Sequence, residues 1–252
     1  MIKINATRRA KAFSIHFSFS AVAFLIALYF ILFQWYPKPH FSVNGGWQGV
    51  RIMLFVDFIL GPLLTLILFR PLKSFRALAF DLTCIIILQI SAFTWGVYAV
   101  HSQRPVGMSL YNGIIYPILE QDLKVQAKSP ADLKLLDDSL PPLVHAHAAA
   151  SADEQAGAAM YELMEGVPES NLFFLFEPIK NHIDDLFTAS LENTGSPPEQ
   201  FTAIRADYLK KHNFQESDLA FVPFAGRYGY SLLIFTRNGK AIDAIPDPRH
   251  NK

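Results

Sequence analysis

Three long apolar stretches in the first hundred residues constrain the fold of this chain more than any other feature. They run over about residues 12–34, 50–69 and 78–100, and the only acidic side chains in this part are Asp57 and Asp81. An α-helix of about 20 apolar residues is long enough to cross the hydrocarbon core of a bilayer. The sequence therefore predicts an α-helical three-span transmembrane bundle.

The rest of the chain has the composition of a soluble domain. The formal net charge of the whole chain is zero, so no global electric field favours nucleic acid or another anionic partner. The single cysteine, Cys84, lies in the third apolar stretch, which excludes a disulfide framework or a cysteine metal site in the polar part. We therefore expect a transmembrane domain at 1–100 and an extracytoplasmic domain at 101–252.

The polar part predicts one small α+β domain. Asn112-Gly113 and Asn238-Gly239 each separate two apolar runs, which is typical of a short β-hairpin. Residues 172–176 form a continuous apolar run that predicts a buried strand, and residues 131–140 predict a short helix. Residues 145–159 are rich in alanine and predict a loose helix or an irregular connection. Together these elements predict a mostly antiparallel sheet with helices on one face.

Basic residues set the expected orientation in the membrane. Seven of them lie before the first apolar stretch or between the second and the third: Lys3, Arg8, Arg9, Lys11, Arg70, Lys73 and Arg76. The positive-inside rule places these segments in the cytoplasm, and three spans would carry residues 101–252 to the periplasm of a Gram-negative cell. A cleaved signal peptide is the alternative for the first stretch. That stretch is long, however, and the Trp35-Tyr36-Pro37 sequence after it lacks small residues for cleavage.

The second apolar stretch carries the most unusual residues of the chain, an aspartate at 57 and the Gly61-Pro62 pair. A carboxylate is costly in hydrocarbon, and a proline frees a backbone carbonyl one turn earlier. Asp57 and Asp81 do not predict an aspartyl protease, because their expected depths in the membrane differ by about 15–20 Å at a rise of about 1.5 Å per residue. For Asp57, bracing of the bundle, docking of a partner and a proton path all stay open.

Other polar patterns do not predict catalysis. His145-Ala146-His147 would put two histidines on one face only in a strand, which this segment does not resemble, so we expect no metal site there. The chain has no G-x-S-x-G elbow, no P-loop and no dinucleotide fingerprint. We therefore expect neither an enzyme nor a cofactor.

Several motifs together resemble one known family. They are the Asp57-x-x-x-Gly61-Pro62-Leu63-Leu64-Thr65 sequence, the basic turn after it, Arg104-Pro105-Val106, and a closing Asp-Leu-Ala-Phe-Val-Pro-Phe-x-Gly-Arg run at 218–227. This combination resembles the type IV pilin accessory family (TfpX/TfpZ, related to FimB). The resemblance extends over the whole chain and is strongest at residues 1–120 and 215–246.

The resemblance implies a bacterial inner-membrane, multi-pass, chaperone-like protein without enzymatic activity. Such a protein would bind and stabilise a type IV major pilin, through both the pilin's membrane helix and its periplasmic head, and promote its assembly into pili. Other pilus assembly proteins and the lipid bilayer are further expected partners, and nucleic acid is not. The alternative is a membrane sensor whose periplasmic domain binds a small ligand or another envelope protein, although the expected cytoplasmic segments are too short for an output domain.

Two sets of residues carry the site hypotheses. A partner-binding or bundle-bracing role is expected for Asp57, Gly61, Pro62 and Thr65. A periplasmic binding surface is expected at Phe221, Phe224 and Arg227 if these side chains are exposed. The alternative for the two phenylalanines is that they are buried in the hydrophobic core.

Overall fold

A computed structural model describes residues 2–36, 40–60, 63–64, 67, 74–189 and 198–246. The chain divides into two compact units. The first unit comprises Met1–Pro37 and Gly45–Ser102, and the second comprises Lys38–Asn44 and Gln103–Lys252. The segment Lys38–Asn44 therefore belongs to the second unit, although it lies within the first hundred residues.

Two long helices make up most of the first unit: α1, Ile2–Phe30, and α4, Phe75–Ser102. A π-helical turn, Ile31–Trp35, extends α1. The two helices run parallel, because the Tyr36 hydroxyl donates to the carbonyl of Val100 at 2.9 Å near their C-terminal ends, and the His16 side chain bonds that of Gln89 nearer their N-terminal ends.

The segment between α1 and α4 corrects the prediction of three spans. Its described part contains the short helices α2, His40–Val43, and α3, Gly46–Met53, and a π-helical stretch, Leu54–Leu60. Within the described ranges only two helices are long and apolar enough to cross a membrane, Phe13–Trp35 with mean hydropathy 2.2 and Ala79–Ser102 with mean hydropathy 1.7.

The three-span bundle is therefore wrong. The sequence of the second stretch gives a physical reason, since a proline at position 62 has no N–H to donate to the carbonyl of residue 58, and the described residues before it, Leu54–Leu60, are π-helical rather than α-helical.

A seven-stranded mixed sheet forms the frame of the second unit, in the order β4-β3-β1-β2-β5-β6-β7. The strands are β1 Pro105–Tyr111, β2 Ile114–Leu119, β3 Leu143–Ala146, β4 Phe176–Pro178, β5 Leu219–Gly226, β6 Gly229–Thr236 and β7 Ala241–Pro246. Four of the neighbouring pairs are antiparallel, whereas β1 with β3 and β2 with β5 are parallel. The parallel pairings place β1 and β2 at the centre of the sheet.

Both expected hairpins are present. Asn112 and Gly113, with φ of 48° and 77°, connect β1 to β2, and Gly239, with φ of 76°, lies in the turn between β6 and β7. Positive φ at these turn positions is what Asn and Gly tolerate best. The strand predicted at 172–176 is instead a 3₁₀ turn, Phe173–Leu175, which follows another 3₁₀ turn, Glu169–Asn171, and leads into β4 at Phe176.

Helices cover both faces of the sheet, which corrects the prediction of helices on one face. They are α5 Glu120–Lys124, α6 Pro130–Leu136, α7 Ala152–Glu165, α8 Ile183–Ala189 and α9 Pro198–His212. Leu186 and Ala189 of α8 pack with Phe224 of β5 in the main core. On the opposite face of the same strand, Tyr208 and Leu209 of α9 pack against Phe221.

A buried amide joins the 3₁₀ turns to the central hairpin. The Asn171 Nδ2 donates to the carbonyl of Pro117 at 3.0 Å and to the Asp122 carboxylate at 2.7 Å. Gln126 bonds to the carbonyl of Asn171 through its amide nitrogen and accepts from the N–H of Phe173. Burial raises the pKa of Asp122. The network fixes the irregular chain before β4 to the end of β2.

The segment Lys38–Asn44 supplies a fully buried histidine to the second unit. The His40 ring has no exposed surface and packs edge-on against Phe224, with ring centroids 5.4 Å apart. Its Nδ1 accepts from the Asn44 amide at 2.7 Å, and the Nε2 is buried without a partner among the described residues. The Asn44 side chain also accepts from the N–H of Arg227, while the carbonyl of Val43 accepts from the N–H of Tyr228. These bonds hold the segment on the β5–β6 turn.

Candidate functional site

The residues predicted in the second apolar stretch are only partly described. The backbone of Asp57 lies in the π-helical stretch Leu54–Leu60. Gly61, Pro62 and Thr65 lie outside the described residues. Short π-helical segments inside longer helices are frequent at functional sites. The partner-binding or bundle-bracing role of these residues stays a prediction.

Phe221 and Phe224 lie in the core, which was the alternative to an exposed binding surface, because neither side chain has any exposed area. Their strand, β5, lies inside the sheet between β2 and β6 and is covered on both faces. Arg227 does lie at the surface, in the turn after that strand. Its Nη1 donates to the side chain of Gln103 at 2.6 Å, and its guanidinium lies 5.7 Å from the ring centre of Tyr228.

A groove between α1 and α4 forms an apolar cavity with a volume of about 670 Å³. Residues of α1 and α4 at helical spacing line it: Ile15, His16, Phe19, Ser20, Ala23, Leu82, Ile85, Ile86, Gln89, Ile90 and Phe93. Several of the apolar side chains are more than half exposed, including Phe19 at 75% and Ile90 at 61%. The small residues Ser20 and Ala23 leave room for a neighbouring helix to approach closely.

The groove also contains polar groups. The side chains of His16 and Gln89 bond each other across the two helices. The Gln89 Nε2 is buried and has no partner among the described residues. An unbonded amide donor in an apolar environment is costly, so this position favours an acceptor on whatever lies in the groove.

A cluster of histidines and carboxylates lies in the second unit, where β3, β4 and α8 come together. His145 is in β3, opposite Glu177 of β4, and Asp185 is in α8. His182 follows the 3₁₀ turn Ile179–Asn181 after β4 and precedes α8. One oxygen of Asp185, Oδ2, lies 3.4 Å from His145 Nε2 and 3.1 Å from His182 Nδ1. The other nitrogen of His182, Nε2, lies 2.5 Å from Glu177 Oε2.

The two imidazoles of this cluster are stacked. Their centroids are 4.0 Å apart and their planes differ by 6°. Burial first, and then the neighbouring His182, lower the pKa of His145, so its ring is neutral at pH 7. The His145 Nδ1 is buried without a hydrogen-bond partner in the described part of the chain.

A cavity of about 370 Å³ opens beside the cluster. His145, His147 and Asp185 line it together with the β1–β2 turn residues Asn112 and Gly113. His147 lies just beyond β3, is half-buried and lines this cavity. Side chains with ligand atoms therefore meet an opening large enough for a small solute.

Sequence reasoning missed this cluster. It judged His145-Ala146-His147 alone and did not expect a strand at this position, whereas β3 extends through Ala146. The partners lie far along the chain and come close because β3 and β4 pair antiparallel, His145 opposite Glu177. The sequence shows that Glu177, His182 and Asp185 are close together along the chain. It does not show which strand they lie beside in the fold.

Comparison with known proteins supplies the family. A fimbrial assembly protein of Dichelobacter nodosus, serogroups C1 and C2, is 35% identical over 99 residues, which are 39% of this chain and 76% of that relative. The chain belongs to the fimbrial assembly protein family. Fimbrial assembly proteins of serogroups E1 and I from the same bacterium are 37% and 35% identical over 99 residues. No family model matches the chain, and neither does any solved structure.

The matched region covers 38% of the length of the serogroup E1 and I relatives. Membership confirms the resemblance at the level of fimbrial assembly proteins. The finer assignment to the TfpX/TfpZ type stays a prediction.

Proposed function

We propose that this member of the fimbrial assembly family is a membrane protein that binds a type IV major pilin and promotes its assembly into pili. The observation that carries the proposal is the similarity to fimbrial assembly proteins over 99 residues. The proposed role is chaperone-like and non-catalytic. The pilin would be held before it enters the fibre, which would protect its apolar helix from other contacts.

The groove between α1 and α4 is the proposed binding place for the pilin's membrane helix. Exposed apolar side chains such as Phe19 and Ile86 line it, and small residues allow close packing. A convex, uniformly apolar surface would suit lipid equally well, but a groove with an unbonded amide donor at Gln89 suits a helix that carries an acceptor. Within lipid, close packing and such polar contacts are what hold helices together.

The proposed orientation follows from the basic residues that precede the long helices. Arg70, Lys73 and Arg76 precede α4, so if α4 crosses the membrane, its N-terminal end is cytoplasmic and the chain after Ser102 lies on the opposite side. The basic residues near the N-terminus favour the cytoplasm for that end. The second unit would then be periplasmic, and the groove, which lies toward the N-terminal ends of α1 and α4, would be in the cytoplasmic half of the membrane. The N-terminus of a mature pilin is expected at the same depth.

Deletion and complementation test the proposal. In cells lacking the protein we expect lower pilin levels and less surface piliation, both restored by the wild-type chain. Ala23→Phe fills the groove and should restore them poorly, whereas Val22→Phe places the same ring on an exposed position outside the groove and should restore them fully. Unchanged pilin level and piliation after deletion would refute the assembly role.

Site-specific photocrosslinking tests the groove itself. A crosslinker at Ile86, 52% exposed and in the groove, should capture pilin. One at Leu88, 60% exposed and about 200° further around α4, is the matched control and should capture mainly lipid. Equal capture at the two positions would contradict the groove as the binding place while leaving the assembly role intact.

A further inference from the structure

Three ligand atoms in the second unit lie at distances that suit one metal ion. They are His145 Nε2, His182 Nδ1 and Asp185 Oδ2, and all lie within 4.8 Å of one another. The carboxylate oxygen is 3.4 Å from the first nitrogen and 3.1 Å from the second. Ligand atoms at about 2.0–2.1 Å from a tetrahedral Zn²⁺ are separated by about 3.3 Å.

We propose that His145, His182 and Asp185 form a binding site for a divalent transition-metal ion, with Zn²⁺ as the best-suited ion. Two imidazoles and one carboxylate are a ligand set that suits first-row transition metals rather than Mg²⁺ or Ca²⁺, which prefer oxygen ligands. The site lies outside the groove proposed for the pilin helix, and the proposal does not depend on pilin binding.

Glu177 supports the proposal as the partner of a ligand. With His182 Nδ1 on the metal, its Nε2–H donates to Glu177 Oε2 at 2.5 Å. Histidines that bind metals almost always donate their second N–H to a carboxylate, a carbonyl or water, which fixes the tautomer and makes the ring a better ligand. Glu177 and His145 face each other across the β3–β4 pair, so the sheet holds this carboxylate in place.

Access to the site also favours metal binding at this position. The cavity beside the cluster gives an incoming ion access and leaves space for water as a fourth ligand.

One ring has to turn when the ion binds. The lone pair of an imidazole nitrogen lies in the ring plane, and two rings stacked with a 6° angle between planes cannot both point at one ion. His145 is the ring that turns, because its Nδ1 has no partner among the described residues, whereas His182 is held by Asp185 and Glu177. Metal binding therefore converts a stacked pair into two rings at an angle.

Zinc binding by the full-length protein in detergent tests the proposal. Equilibrium dialysis at pH 7.5, with the metal content measured by mass spectrometry, should give one tightly bound Zn²⁺ per chain that excess Mg²⁺ does not displace. Asp185→Asn and His182→Gln should each weaken binding at least 10-fold. Glu177→Gln should weaken it about 10-fold while leaving all three ligands present. His212→Gln, which changes an exposed histidine on α9, should have no effect.

A structural readout separates a metal site from a damaged fold. Zn²⁺ should shift the imidazole NMR signals of His145 and His182 in the wild type and in His212→Gln, but not in Asp185→Asn. The hydrogen exchange of β5 and β6 should be the same in all variants without metal. Absence of stoichiometric binding, or equal affinity of the wild type and Asp185→Asn with an intact fold, would overturn the proposal.

Discussion

His40 should make the second unit sensitive to acid. The ring is fully buried against Phe224, its only polar contact among the described residues is the amide of Asn44, and burial lowers its pKa to about 4. An unfolded chain has no such burial, and its histidines titrate near a pKa of about 6.5. Protonation of His40 is therefore much easier in the unfolded state than in the folded one.

The sign and size of the effect follow from this difference. Above about pH 6.5 the ring is neutral in both states, and the free energy of unfolding is unaffected. As the pH falls from about 6.5 to about 4, only the unfolded state takes up the proton, so the free energy of unfolding decreases by about 1.4 kcal/mol per pH unit. A pKa difference of about 2.5 units gives a total loss of about 3 kcal/mol, which is complete below about pH 4.

Hydrogen exchange of the amides in β5 provides the assay. All three tryptophans lie in the first unit, at positions 35, 47 and 95, so fluorescence would not report on the second unit. The exchange rates of Leu219–Gly226 are measured in the full-length protein between pH 7.5 and 4, corrected for the intrinsic pH dependence, and converted to free energies of opening.

His40→Asn serves as the matched variant. Its amide oxygen can accept from Asn44 in place of Nδ1, but it does not titrate. We expect it to be less stable than the wild type at pH 7.5 and to lose about 3 kcal/mol less on acidification, since the contributions of other groups are common to both proteins. Equal losses in the two proteins would refute the reasoning.

Two further substitutions test the contacts that hold the second unit together. Gly226→Ala should cost about 1–3 kcal/mol, because the new Cβ would lie 2.6 Å from the carbonyl oxygen of Val43. Gly157→Ala, on the exposed helix α7, is its control and should be neutral or stabilising by up to about 1 kcal/mol. Asn171→Ala should cost about 2–3 kcal/mol because it removes a donor from the buried carboxylate of Asp122. Hydrogen exchange during thermal unfolding measures the stability of all three variants. A Gly226→Ala protein as stable as the wild type would contradict the close contact.

Local signals in the sequence predicted the parts of the fold that depend on local chemistry. Asn112-Gly113 and Asn238-Gly239 predicted two hairpins because the positive φ of their turns is set by the residues themselves. The first and third apolar stretches predicted two long helices, which are α1 and α4.

The second apolar stretch shows why composition is not enough. Hydropathy counts apolar residues and takes no account of how backbone bonds are made. Residues 50–69 are apolar enough to cross a membrane, yet their described part is a short helix followed by the π-helical stretch Leu54–Leu60. The Gly61-Pro62 pair was the feature of the sequence that argued against a regular helix, since a proline removes a helical hydrogen-bond donor.

The position of Phe221 and Phe224 in the core had a signal in the sequence. Residues 219–225 are Leu-Ala-Phe-Val-Pro-Phe-Ala, a continuous apolar run without the alternation of a half-exposed strand. Such a run is typical of a strand covered on both faces, as β5 is. No comparable sequence signal predicted the histidine cluster, because the cluster depends on which distant strands pair.

The segment Lys38–Asn44 has a consequence for how the two units can act on one partner. It belongs to the second unit, where Val43 and Asn44 bond the β5–β6 turn, but both of its ends continue into the first unit. Three peptide connections therefore join the units, at 37–38, 44–45 and 102–103, where a simple tethered domain would have one. Linked binding sites reinforce each other through effective concentration, which falls as the linkage becomes longer and looser. A protein proposed to hold a pilin by its membrane helix and by its head gains from this linkage, since weak binding at each end then suffices to hold the whole pilin.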